Sequence, residues 1–140
     1  MLQGADLIVE AVFENRDIKA EVTAKAEAQI AETAVFGSNT STLPITGLAK
    51  NSKRPNNFIG IHYFSPVERM PLVEMIMGEQ SSDEALAKSL DYIAQIKKTP
   101  IVVNDSRGFY TSRVFSTSCN EANEMIKEGV NPALIENAAR

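Results

Sequence analysis

Short apolar runs alternate with helix-period segments along almost the whole chain, and few folds admit that pattern. Asp6 to Val12 reads as a buried strand. Arg16 to Glu32 reads as a helix, because Ile18, Val22, Ala26 and Ile30 recur every four residues with Lys19, Glu21, Lys25 and Glu27 around them. Ala34 to Ser38 is a short strand, Asn39 to Thr42 a polar turn, and Pro44 to Lys50 a short helix with proline near its first turn. Asn51 to Asn56 is a polar connection. Two more apolar runs follow, Asn57 to Phe64 and Pro71 to Met77, joined by Ser65 to Met70. Ser81 and Glu84 have capping-box spacing ahead of a helix that carries Ala85, Leu86, Leu90, Ile93 and Ile96 and ends at Lys97-Lys98. Thr99 to Val103 is a strand and Asn104 to Gly108 a turn. A helix is expected from Tyr110 to Glu128, with Gly129 just past its end, and Asn131-Pro132 opens another. Together these elements predict an α/β sheet, and the close spacing of the later strands makes part of it antiparallel.

Composition removes several function classes. The 140 residues suffice for one ordinary domain. The net charge of −4, with no cluster of Lys and Arg, argues against a nucleic-acid surface. Cys119 is the only cysteine and His62 the only histidine, so neither an intrachain disulfide nor a structural zinc set is expected. No apolar run reaches membrane-spanning length. The N-terminus has no basic region of the kind a signal peptide carries, so an intracellular setting is expected. The chain opens almost directly on a core strand, and its last helix stops soon after it starts. Both features predict a piece of a longer fold.

His62 and Glu74 lie twelve positions apart, each the lone ionisable residue of a largely apolar run. A buried carboxylate must find a partner or take up a proton. The simplest solution sets the two strands side by side, so that His62 meets Glu74. An imidazole held by a carboxylate moves protons near neutral pH. The alternative is a satisfied core histidine beside a partly solvated acid.

Other candidates sit at expected strand ends, where open α/β sheets bind ligands. Glu14 and Lys19 follow the first strand and can touch a ligand there; otherwise they are a solvated loop acid and a helix-surface lysine. Ser38 to Thr42 is a run of small polar residues able to hydrogen-bond a ribose, an amide or a thioester carbonyl, or to make an Asx-turn. Gly108 to Arg113 brings a close-approach glycine and small hydroxyls into the long helix. The sequence has no G-x-G-x-x-G, no P-loop and no metal-binding motif.

Taken in order, these stretches resemble the 3-hydroxyacyl-CoA dehydrogenase family. The matching segments are Ala5 to Val12 with Glu14-Asn15 and Lys19, then Ser38 to Ser41, Gly60 to Val67, Met70 to Glu74, Lys98 to Pro100, and Gly108-Phe109. The variants His62 to Pro66 and Gly108 to Thr111 look most like the α-subunits of multifunctional fatty-acid β-oxidation complexes. The resemblance implies the C-terminal part of a Rossmann-type NAD-binding domain over residues 1–107, then the start of an all-α domain over residues 108–140. It implies oxidation of an (S)-3-hydroxyacyl-CoA to the 3-ketoacyl-CoA with NAD as cofactor. His62 would be the general base, with Glu74 orienting it. Glu14, Lys19, Ser41 and Ser65 would fall at cofactor positions, and Ser41 and Ser112 at the substrate. The stand-alone enzymes carry Asn at the positions of Ser65 and Ser112; a shorter hydroxyl there implies lost or water-mediated contacts.

The resemblance also implies a glycine-rich phosphate loop ahead of Met1 and more helices after Arg140, so these residues alone are expected to be inactive. Expected partners are the acyl-CoA substrate and either a second copy or other subunits of a β-oxidation complex, with the bacterial cytoplasm ahead of the mitochondrial matrix. Two other readings stay open: a related β-hydroxyacid dehydrogenase acting on a free acid, and a non-catalytic interaction module.

Overall fold

The structure is a computed structural model, which describes residues 2–139. Five strands form one sheet in sequential order: β1 (Leu7–Glu10), β2 (Val35–Ser38), β3 (Phe58–Tyr63), β4 (Leu72–Met77) and β5 (Thr99–Asn104). The first three run parallel; β4 turns back against β3, and β5 runs parallel to β4. The expected mixed sheet is therefore present, with its one antiparallel pair at β3 and β4. The carboxyl ends of β1, β2 and β3 share one edge with the start of β4.

The connections are α1 (Arg16–Glu27), α2 (Ile45–Ala49), a 3-10 turn (Pro55–Asn57) and α3 (Asp83–Gln95). Alternating strand residues feed two cores, one on each face. Phe36, Phe58 and Ile76 pack with Ile45, Leu48 and Ala49 of α2, with Ala26 of α1 and with Phe109. Val35, Ile59, Ile61, Val73 and Met75 pack with Ala85 and Ile93 of α3. Phe36 and Phe58, partners in register, stack at 5.3 Å between ring centroids. Gly60 is needed on the first face, since a Cβ there would come within 2.8 Å of the Ile45 side chain and of Ile76.

Two helices differ from expectation. Helix α1 ends at Glu27, not Glu32, and its buried face is Lys19, Thr23, Ala26 and Glu27 while Ile18 is exposed. The apolar period is overridden because two ionic side chains on this helix are buried with hydrogen-bond partners: Lys19 bonds Glu10, and Glu27 accepts from the Ser52 hydroxyl and the Lys53 amide at 2.9 Å. Helix α3 is capped by Ser82, whose hydroxyl accepts from the Ala85 amide at 3.1 Å. Ser81 does not cap it; its hydroxyl donates to the Phe58 carbonyl at 2.6 Å and accepts from the Gly78 amide at 3.0 Å. Lys97-Lys98 lie past the end of α3. Lys97 takes the left-handed conformation (φ 57°) that closes the helix, with its amide on Ala94 and the Lys98 amide on Ile93.

The chain divides into two compact units, residues 1–109 and 110–140. The second holds α4 (Thr111–Lys127) and α5 (Pro132–Ala138). Gly129 (φ 90°) ends α4 as the sequence suggests, and Asn131 caps α5 by accepting from the Ala133 amide at 2.9 Å. Among the described residues no helix is long and apolar enough to cross a membrane.

Candidate active site

His62 and Glu74 are direct partners in the antiparallel register of β3 and β4, so their side chains leave the same face. His62 Nδ1 lies 2.8 Å from Glu74 Oε2, with His62 5% exposed and Glu74 fully buried. A carboxylate this deep needs a partner, and the imidazole is one. The His62 ring is flanked by Phe64, at 4.5 Å between centroids, and by Phe109, at 6.0 Å.

A second cluster lies at the ends of β1 and β2. Lys19, only 2% exposed, places its ammonium 2.9 and 3.0 Å from the two Glu10 carboxylate oxygens, 3.4 Å from the Val12 carbonyl and 3.6 Å from Glu14. It is therefore not a helix-surface lysine. Glu10 also accepts from the Ser38 hydroxyl and, at 3.0 Å, from the Val12 amide. Glu14 gathers the polar run: its Oε1 accepts from the Thr40 hydroxyl at 2.6 Å and from the Ser41 and Thr42 amides at 3.0 and 3.1 Å. Burial pushes the Glu14 carboxyl up, but those hydrogen bonds and the Lys19 charge together hold it below the usual range. The Ser41 side chain stays exposed.

Two bonds join these clusters. Asn39 Oδ1 accepts from the Tyr63 amide at 3.0 Å, tying the end of β2 to the residue after His62. The Gly108 amide donates to the Thr42 carbonyl at 3.4 Å. Nearby, the Asp105 carboxylate caps α2, accepting from the Ile45 and Thr46 amides at 2.9 and 2.8 Å. The structure thus brings Glu14, Lys19 and Ser41 together, and separately His62 with Glu74. Ser65 is exposed in the loop between β3 and β4, where Lys98 Nζ donates to the Val67 and Met70 carbonyls at 2.6 and 2.8 Å. Ser112 lies in the first turn of α4, in the second unit. Sequence reasoning missed Glu10 and Asp105 as parts of this region, and gave Asn39 and Phe109 no individual role although both fall in stretches it singles out. Glu10 alone left a trace, as an acid inside an apolar run.

Polar and ionic residues gathered at the strand ends of an open α/β sheet mark the place where such folds bind ligands. The family model for the 3-hydroxyacyl-CoA dehydrogenase NAD-binding domain matches residues 1–106. The chain belongs to the 3-hydroxyacyl-CoA dehydrogenase family.

Among similar solved structures, an (S)-3-hydroxybutyryl-CoA dehydrogenase from Ralstonia eutropha is 38% identical, with a TM-score of 0.86 over 90% of this chain and 44% of that one. An NAD-dependent dismutase, 5-formyl-3-hydroxy-2-methylpyridine 4-carboxylic acid 5-dehydrogenase, is 33% identical, with a TM-score of 0.92 over 97% of this chain and 45% of that one. The dehydrogenase part of multifunctional enzyme 1 from C. elegans is 34% identical, with a TM-score of 0.73 over 88% of this chain and 28% of that one. The chain spans less than half the length of each.

NAD is the cofactor of this family's domain. At the strand ends the chain presents Ser41, the Glu14 carboxylate and the Phe13 ring, 78% exposed, groups able to contact a polar, aromatic cofactor. The sequence holds no glycine-rich loop to cradle a pyrophosphate.

Proposed function

We propose that the protein to which this chain belongs oxidises an (S)-3-hydroxyacyl-CoA to the 3-ketoacyl-CoA, with His62 and Glu74 as its acid–base pair. The observation that carries this reading is the buried 2.8 Å contact between His62 Nδ1 and Glu74 Oε2. An ionised carboxylate only accepts, so Nδ1 carries the hydrogen and Nε2 keeps its lone pair. Nε2 takes the proton of the substrate 3-hydroxyl. The C3–H bond gives up its electron pair as hydride, and C–O becomes a carbonyl. Glu74 holds the ring in place and faces the positive charge it has gained. Bound NAD supplies the hydride acceptor.

In this reading Glu14, Lys19, Ser41 and Ser65 serve the cofactor, Lys19 through its place in the Glu10–Glu14 cluster. Ser41 and Ser112 serve the substrate. Residues 1–107 are the later part of the NAD domain, and residues 108–140 begin a helical domain. Likeness to a multifunctional-enzyme dehydrogenase part supports a place in fatty-acid β-oxidation, with other subunits of such a complex as partners.

A second reading is a substrate not carried on CoA. It is favoured by the 0.92 TM-score to a dehydrogenase named for a pyridine carboxylic acid. One assay separates the two. Protein carrying the complete dehydrogenase region, given NAD, is expected to form NADH with (S)-3-hydroxybutyryl-CoA and not with free 3-hydroxybutyrate. Turnover of the free acid alone would establish the second reading.

A further inference from the structure

His62 is bonded through one nitrogen only to Glu74 in the contacts above, and a single hydrogen bond leaves a ring free to swing about it. What closes that freedom is aromatic. Phe64 follows β3 directly and lies 4.5 Å from the His62 centroid with the rings at 49°. Phe109 approaches from 47 positions away in the chain, at 6.0 Å and 57°. Both are tilted contacts in the range where aromatic rings attract edge to face. Phe109 is 2% exposed and sits in the left-handed region at φ 47°, just after Gly108 at φ 76°. A phenylalanine is strained there, and such residues persist only where their surroundings fix them. Here they do. The Phe109 amide donates to the Ser106 carbonyl at 3.2 Å, the Ser106 hydroxyl to the Phe109 carbonyl at 3.4 Å, and the Gly108 amide to the Thr42 carbonyl at 3.4 Å. Glycine at position 109 would remove the strain, but it would also remove the ring.

We propose that Phe64 and Phe109 are positioning residues for His62: two rings from separate parts of the chain that bracket the imidazole and hold Nδ1 on Glu74, so that Nε2 is presented to the substrate. The strained turn at Gly108-Phe109 is the device that seats the second ring. This rests on the reading of His62 as the base, and a base misplaced by about 1 Å can lose on the order of 10²-fold in rate.

His62 is the only histidine of this chain, and in the complete dehydrogenase its ¹⁵N ring signals are identified as those lost in His62→Ala. In its neutral form the ring is expected as one tautomer with the proton on Nδ1. In F109L, which keeps an apolar side chain at the site, and in F64L, the second tautomer is expected to appear. In the complete dehydrogenase, both variants are expected to lower kcat by on the order of tenfold or more while KM for NAD holds. Core filling alone would lower the melting temperature and leave the tautomer single. A single Nδ1–H tautomer in both variants, with unchanged kcat, overturns the proposal. Phe64 is half-buried at a strand end, and F64L decides alone if F109L does not fold. A wild-type ring protonated on Nε2 instead would overturn the dyad itself, a distinguishable result.

Discussion

Lys19 shows what a single side chain can impose on this fold. Its ammonium is buried against Glu10, and removing one partner of such a pair strands the other charge. In Lys19→Met, Glu10 keeps the Ser38 hydroxyl and the Val12 amide but loses its counter-ion. A loss of about 3 kcal/mol is expected, read from the urea midpoint at unchanged slope. A loss under about 1 kcal/mol would mean that the pair is not buried as described. Legibility at this scale divides cleanly. His62 and Glu74 could be read because each is the one ionisable residue in an apolar run, and only a partner makes that tolerable. Lys19 could not. On a helical wheel it lies beside the apolar stripe, and its burial depends on Glu10 nine residues earlier and on Ser38 in a neighbouring strand. Asp105 was invisible for the same reason, since it caps a helix that starts sixty positions before it.

Elements were legible where their signals are local. The α4 terminus at Gly129 and the α5 cap at Asn131 follow from neighbouring residue types. The α3 start was misplaced by one residue because Ser81 and Ser82 are both competent caps, and contact of Ser81 with the Phe58 carbonyl on β3 decides between them. The α3 end carries a testable irregularity. Both α3 and α4 close through a left-handed residue, Gly129 in one case and the exposed Lys97 (φ 57°) in the other. Glycine adopts this conformation freely, and a lysine does not. Lys97→Gly is therefore expected to raise the thermal midpoint, by about 0.5–1 kcal/mol of stability after the added unfolded-state entropy is subtracted. A lowered midpoint would show that the Lys97 side chain has a stabilising role that its contacts do not reveal.

At the scale of the whole molecule, the sheet order decides where chemistry can occur. Three parallel strands end at the edge where β4 begins, so one antiparallel turn places Glu74 opposite His62 at the same edge as the Glu14 and Ser41 cluster. Sequence pattern could anticipate the α/β class and the mixed sheet. It also anticipates that His62 meets Glu74, and the fold supplies the register that keeps them on one face, since a one-residue slip would send Glu74 to the other. As proposed above, this pair is the proton-transfer machinery of a hydroxyacyl dehydrogenase. Steady-state kinetics of His62→Ala in the complete dehydrogenase, with (S)-3-hydroxybutyryl-CoA and NAD, test it most directly. The expected result is a kcat lower by about 10²–10⁴-fold with NAD affinity retained. An unchanged kcat in a folded His62→Ala enzyme would contradict it.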